Sequence, residues 1–153
     1  MEQQLQFFQW TRANILHLLN DLSEQQISRI PEGFNNNILW NAGHIYWVQQ
    51  VLVYQLAGIS PDFTESFQAK YSSGNFPTDG DSSDLTLIID HLQKSTEKTI
   101  EDYRGGKFQG YQSISNRYDR VEFTFTEWND AFQYNNLHEA MHYGFMKALA
   151  LVV

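Results

Sequence analysis

Apolar positions recur at alternating three- and four-residue steps in four stretches of the chain, the spacing that puts side chains on one side of a helix. Leu5, Phe8, Arg12, Ile15, Leu19 and Leu22 form the first stripe. Arg12, its single charged member, is expected at the stripe's edge with its stem packed and its head in water. Ser23-Glu24-Gln25-Gln26 has the form of a capping box and opens a short helical turn that Pro31 and Gly33 close. A second helix is expected to start among Asn35, Asn36 and Asn37, whose side chains accept from unpaired backbone amides, and to run to Gly58, with Pro61 as a stop. Trp40, His44, Trp47, Val51 and Tyr54 lie on one stripe of it, and Ala42, Ile45, Leu52 and Leu56 widen the apolar surface, so this helix reads as buried on more than one side.

Residues 60–81 are rich in Ser, Asp, Gly and Pro and read as a long connection pinned by Phe63, Phe67, Tyr71 and Phe76. A third helix, capped by Ser82, Ser83 or Asp84, carries Leu85, Ile89, Leu92, Thr96, Ile100 and Tyr103 on one face and ends at Gly105-Gly106. Alternation then replaces the helical period: Val121, Phe123 and Phe125 fall on one side and Glu122 and Thr124 on the other, which predicts a small hairpin turning near Ser115-Asn116. The last helix begins near Thr126 and runs almost to Val153. Its stripe is Ala131, Asn135, His138, His142, Phe145 and Leu149. The fold class is all-α, a four-helix bundle with long crossovers, in one domain over residues 1–153.

Composition narrows the function classes. The formal charge is −8, and repulsion from phosphates argues against direct nucleic-acid binding. The densest basic stretch, residues 94–104, is offset by Glu97, Glu101 and Asp102. No cysteine is present, which excludes disulfides, thiolate zinc sites and a cysteine nucleophile. The first residues lack the basic lead and apolar run of a secretory signal, and no apolar stretch approaches the ~20 residues of a bilayer crossing. The expectation is a cytoplasmic protein with no membrane partner.

The anomaly lies on the last stripe. His138 and His142 occupy adjacent inward positions where Leu or Ile is expected, and burying imidazoles costs desolvation. At i and i+4 their ring nitrogens can converge on one point, as two metal ligands on one helix do. His44 is a third imidazole on an inward stripe, and contact between its helix and the last one would complete a three-histidine set. The competing reading is a pair of core histidines satisfied by carbonyls or hydroxyls. His17 and His91 fall beside their stripes and read as surface or packing residues. The segment His138-Glu139-Ala140-Met141-His142 also spells H-E-x-x-H, the zinc-peptidase helix in which the Glu is general base. Those enzymes draw a third ligand from beyond the helix, and no His, Asp or Glu follows His142. Glu139 therefore supports the site from behind, binds a neighbouring helix or faces water.

Asn37-Ile38-Leu39-Trp40-Asn41-Ala42-Gly43-His44-Ile45, followed far downstream by His138, His142 and Gly144, resembles the DinB-like superfamily of metalloenzymes. The resemblance covers essentially the whole chain. It implies a four-helix bundle whose single divalent ion is held by His44, His138 and His142, with zinc or nickel favoured and iron or manganese as alternatives, and often a homodimer. Some relatives are thiol transferases that use low-molecular-weight thiols. A metal-dependent hydrolase, or a stress protein that binds metal or a small molecule without turnover, are the alternatives. The family's name reflects DNA-damage induction of a founding member, which is regulation. Phe145 stands where many relatives have Gln. Asn41, Asn135 and Glu139 are candidates to support the ligands, and Trp47 and Tyr143 to line the pocket mouth.

Overall fold

A computed structural model of the chain describes residues 1–118 and 121–153, with the backbone alone for residues 114–118 and 121–123. Helix α1 (Glu2–Asp21) buries Leu5, Phe8, Thr11, Arg12, Ile15 and Leu19. The capping box then opens α2 (Glu24–Ser28): Ser23 Oγ accepts from the Gln26 amide, and the Gln26 side chain accepts from the Ser23 amide. Helix α3 (Ile38–Gln49) starts at Asn37, whose Oδ1 accepts from the Trp40 amide at 2.8 Å. It is buried on almost every side. The helix continues through a π turn (Gln50–Tyr54) and a tight turn (Gln55–Ala57) to Gly58, which takes a left-handed φ of 74° as its terminator.

The long connection carries a helix of its own, α4 (Glu65–Tyr71), capped by Thr64. Phe67 and Tyr71 pin it as expected, whereas Phe76 is 67% exposed and pins nothing. Helix α5 (Leu85–Arg104) buries Ile88, Leu92, Ser95, Thr99 and Ile100. That face is rotated from the predicted stripe toward small hydroxyl residues, because Ser95 and Thr99 meet polar partners inside the bundle. Strands β1 (Ile114–Tyr118) and β2 (Val121–Phe125) pair antiparallel with Ile114 opposite Phe125. Ser115 and Asn116 lie within β1, so the predicted turn position is corrected; the connecting residues 119 and 120 lie outside the described residues. Helix α6 (Trp128–Leu149) follows.

Helix α1 packs beside α5 and α6, and α3 packs beside the same two, which closes an all-α four-helix bundle with α1 and α3 on a diagonal. Among the described residues, the two larger of three apolar clusters fill its ends. One gathers Ile15, Leu19, Ile38, Ile45, Ile88, Leu92 and Met146, the other Leu5, Phe8, Val53, Ile100, Trp128 and Phe132. Between them lies a polar layer. Arg12 sits there, not in water: its Nε and Nη2 donate to the two carboxylate oxygens of Glu139 at 2.6 and 2.8 Å, and its Nη1 donates to Ser95 Oγ at 3.1 Å. Asn135 Nδ2 donates to the same carboxylate at 2.7 Å, and Gln49 Nε2 donates to Thr99 Oγ1 at 2.8 Å. Among the described residues no helix is long and apolar enough to cross a membrane.

Candidate metal centre

His138 and His142 stand one turn apart on α6 and face α3, where His44 lies directly opposite. Ring centroids are 5.2 Å apart for His44 and His138, 4.9 Å for His44 and His142, and 4.4 Å for the α6 pair. One ring nitrogen from each lies within 4.8 Å of the other two, and the three form a group that could hold a metal ion. His138 Nε2 and His142 Nε2 are 3.1 Å apart. Two nitrogens on a tetrahedral ion with bonds of 2.0–2.1 Å stand about 3.3 Å apart, so this pair is already spaced for one.

Hydrogen bonds choose which nitrogen is free in two of the three rings. His44 Nδ1 donates to the Tyr71 carbonyl at 2.7 Å; a carbonyl only accepts, so the lone pair of His44 belongs to Nε2. His142 Nδ1 meets Asn41 Oδ1 at 2.7 Å. The Asn41 amide nitrogen donates to the Asn37 carbonyl at 2.7 Å, which fixes its oxygen toward the ring, so His142 also keeps its proton on Nδ1 and its lone pair on Nε2. His138 Nδ1 is buried with no hydrogen-bond partner among the described residues, as is Trp47 Nε1. The donor set is three imidazole nitrogens with no carboxylate in the group, a chemistry suited to zinc or nickel.

Burial keeps these rings neutral. Desolvation, reinforced by the two neighbouring imidazoles, pushes the His138 pKa down to about 3, and desolvation with His44 beside it pushes His142 down to about 4. His44 is lowered by desolvation, against which its bond to the Tyr71 carbonyl acts. Lone pairs are therefore available at neutral pH. In the unfolded chain the same rings take protons near pH 6.5. The unfolded state then carries more protons than the folded state as pH falls from about 6.5 toward 4, and acid favours unfolding across that window. Metal-free protein is expected to lose stability from pH 7 to pH 5 by at most about 1.4 kcal/mol per pH unit per histidine. Urea denaturation of wild type against the His138→Leu/His142→Leu variant, whose curve should be flatter, measures it.

Trp40 stacks on His44 at 4.7 Å and 10°, and Trp47 covers it at 5.8 Å. A recess of about 240 Å³ opens beside His142, lined by Asn36, Asn41, Met141, His142 and Phe145. It carries no charged side chain. Of the other candidate residues, Asn41 bonds a ligand-position histidine directly. Asn135 Nδ2 donates to Glu139, and Glu139 in turn accepts from Arg12 of α1, so Glu139 binds a neighbouring helix. Tyr143 packs edge-on against Trp10 at 6.4 Å, on the α1 side of α6. His17 is exposed beside Asp21, and His91 stacks on Tyr46 at 4.3 Å. The residues that sequence reasoning missed are Arg12 as the partner of Glu139 and the Tyr71 carbonyl as the anchor of His44. A charged residue on an apolar stripe was the available signal for the first; the second is a backbone atom and leaves none.

Residues 8–146 match the family model of the DinB superfamily. No curated protein matches the chain.

Proposed function

The chain belongs to the DinB superfamily, and from that premise we propose that it is a metalloprotein whose single divalent ion is held by His44, His138 and His142, acting as a thiol transferase with a low-molecular-weight thiol. The convergence of one nitrogen from each of three rings on two helices carries the metal reading. When bound, a divalent ion on three neutral imidazoles supplies undiminished positive charge and an open position, the chemistry that lowers the pKa of a thiol or a water. Asn41 and the Tyr71 carbonyl orient two of the rings. Trp40 and Trp47 keep water from His44, and Met141 and Phe145 offer an apolar surface to a substrate arriving beside His142.

One observation favours thiol transfer over hydrolysis. A hydrolase needs a base near the attacking water, and the adjacent carboxylate, Glu139, is committed to two bonds from Arg12 and one from Asn135. A thiol brings its own nucleophile, which also agrees with the absence of cysteine from this chain. Elemental analysis of protein purified without an affinity tag is expected to give about one divalent ion per chain, and conjugation of a small electrophile should require both the ion and an added thiol. Metal-loaded protein that turns over no electrophile with any small thiol would leave the non-catalytic binding protein as the reading.

We also propose a homodimer. Phe7, Trp10, Leu137 and Ala140 line an uncharged groove between α1 and α6 in which Trp10 and Leu137 are 62% and 66% exposed. Interface cores are depleted of charge and enriched in aromatic residues, and this groove adds no like-charge contact between two chains of charge −8. Light scattering should give a dimer mass for wild type and a monomer for Trp10→Glu/Leu137→Glu.

A further inference from the structure

The crossover helix α4 touches the histidine group through its backbone. The carbonyls at its C-terminal end lie beyond its own backbone hydrogen bonds, the last of which runs from the Ser72 amide to the Gln68 carbonyl. Two consecutive ones are taken by side chains of α3 one turn apart: Trp40 Nε1 donates to the Lys70 carbonyl at 3.0 Å, and His44 Nδ1 donates to the Tyr71 carbonyl at 2.7 Å. The two α3 rings stack on each other as they do so.

Gly43 makes this approach possible. It lies inside α3 with ordinary helical backbone, where glycine is unfavourable relative to alanine, so conformation does not explain it. Space does. A Cβ on Gly43 would stand 2.4, 2.6 and 2.8 Å from ring carbons of Tyr71. The ring cannot swing aside cheaply: its hydroxyl donates to Asp84 at 2.9 Å, Lys70 Nζ pairs with the same carboxylate oxygen at 2.7 Å, and Phe67 packs on its face. Asp84 immediately precedes α5, so α4 is fastened to two helices of the bundle at once.

We propose that α4 is a clamp that sets the orientation and tautomer of His44, with Gly43 as the socket that lets Tyr71 close on α3. Gly43 and Tyr71 are positioning residues: neither reaches the centre of the histidine group, and each acts through His44. With the clamp shut, the His44 proton is held on Nδ1 and Nε2 presents its lone pair toward His138 and His142. Docking of α4 and occupancy of the site are then linked, and each favours the other by the same factor.

The effect on metal rests on the metal-binding reading above; the effect on the tautomer does not. Imidazole ¹⁵N shifts of metal-free wild type should show His44 protonated on Nδ1 and bare on Nε2, and a His44 protonated on Nε2 overturns the clamp even if every variant fails to fold. Titration with Zn(II) against a chromophoric chelator should show Gly43→Ala binding 10–100-fold more weakly than wild type, the usual cost of losing a group that orients a ligand. In the Tyr71→Ala background, where the ring is gone, Gly43→Ala should change affinity and tautomer no further. Equal affinity of wild type and Gly43→Ala, or a full additional loss in the Tyr71→Ala background, overturns the proposal. Wild type that shows the expected tautomer but takes no Zn(II), Ni(II) or Fe(II) sinks the metal reading and leaves the clamp standing.

Discussion

Arg12→Met is expected to destabilise the protein by about 3–5 kcal/mol, a large fraction of the 5–15 kcal/mol that holds a typical domain folded. The Arg12 and Glu139 side chains are 1% and 0% exposed. Removing the guanidinium leaves a carboxylate in the bundle with only Asn135 to bond it, and an uncompensated buried charge is what makes such losses large. The pair itself is a different quantity. Desolvation offsets much of its attraction, so Arg12→Met/Glu139→Met should return to within about 1–2 kcal/mol of wild type or exceed it. Urea denaturation of the three proteins separates the two effects. A loss below about 1 kcal/mol for Arg12→Met would mean that water reaches Glu139. The pair also fixes how α6 is turned about its axis. With Glu139 bound to α1, His138, the next residue back, is rotated about 100° away toward α3. Zn(II) affinity of the double variant reports whether packing alone maintains that rotation.

His138→Ala and His142→Ala are each expected to bring bound metal down to background, a larger loss than the 10–100-fold that follows removal of an orienting neighbour. Asn41→Leu should fall in that smaller range, since it leaves the His142 ring in place but removes the acceptor that holds its proton on Nδ1. His17→Ala and His91→Ala should leave occupancy unchanged, because one ring is exposed on α1 and the other is stacked against Tyr46. Elemental analysis after gel filtration, with affinities by chelator competition, orders the five variants. One full equivalent retained by His138→Ala, or metal lost in His17→Ala, would move the site elsewhere.

Much of the fold was legible because helices declare themselves locally. The α1 stripe, the Ser23 capping box, the Asn37 cap and the Gly58 terminator all rest on contacts within a few residues. Errors arose where a partner lay far along the chain. The sequence around Arg12 predicts a solvated head because its neighbours give it nothing to bond; its partner lies 127 residues away. The inward face of α5 escapes its periodicity for the same reason, since the hydroxyls of Ser95 and Thr99 find their partners on other helices, in Arg12, Gln49 and Tyr54. Phe76 is apolar and exposed, a combination no periodicity reveals.

By itself the sequence determined the four long helices and several of their caps, though not α4 within the connection, and the two imidazoles one turn apart on an inward face, because a 3.6-residue period and a cap are properties of short segments. It also determined that no thiol of this chain takes part in any chemistry. Only the tertiary structure decided that α3 and α6 are neighbours, which brings His44 to the other two, and that α1 and α6 are neighbours, which ties Glu139 to Arg12. It alone placed the Tyr71 carbonyl on His44 and the Tyr71 ring on Gly43. Backbone carbonyls carry no sequence label, and the room beside a glycine is set by whatever element packs there, so neither can be read before the bundle closes.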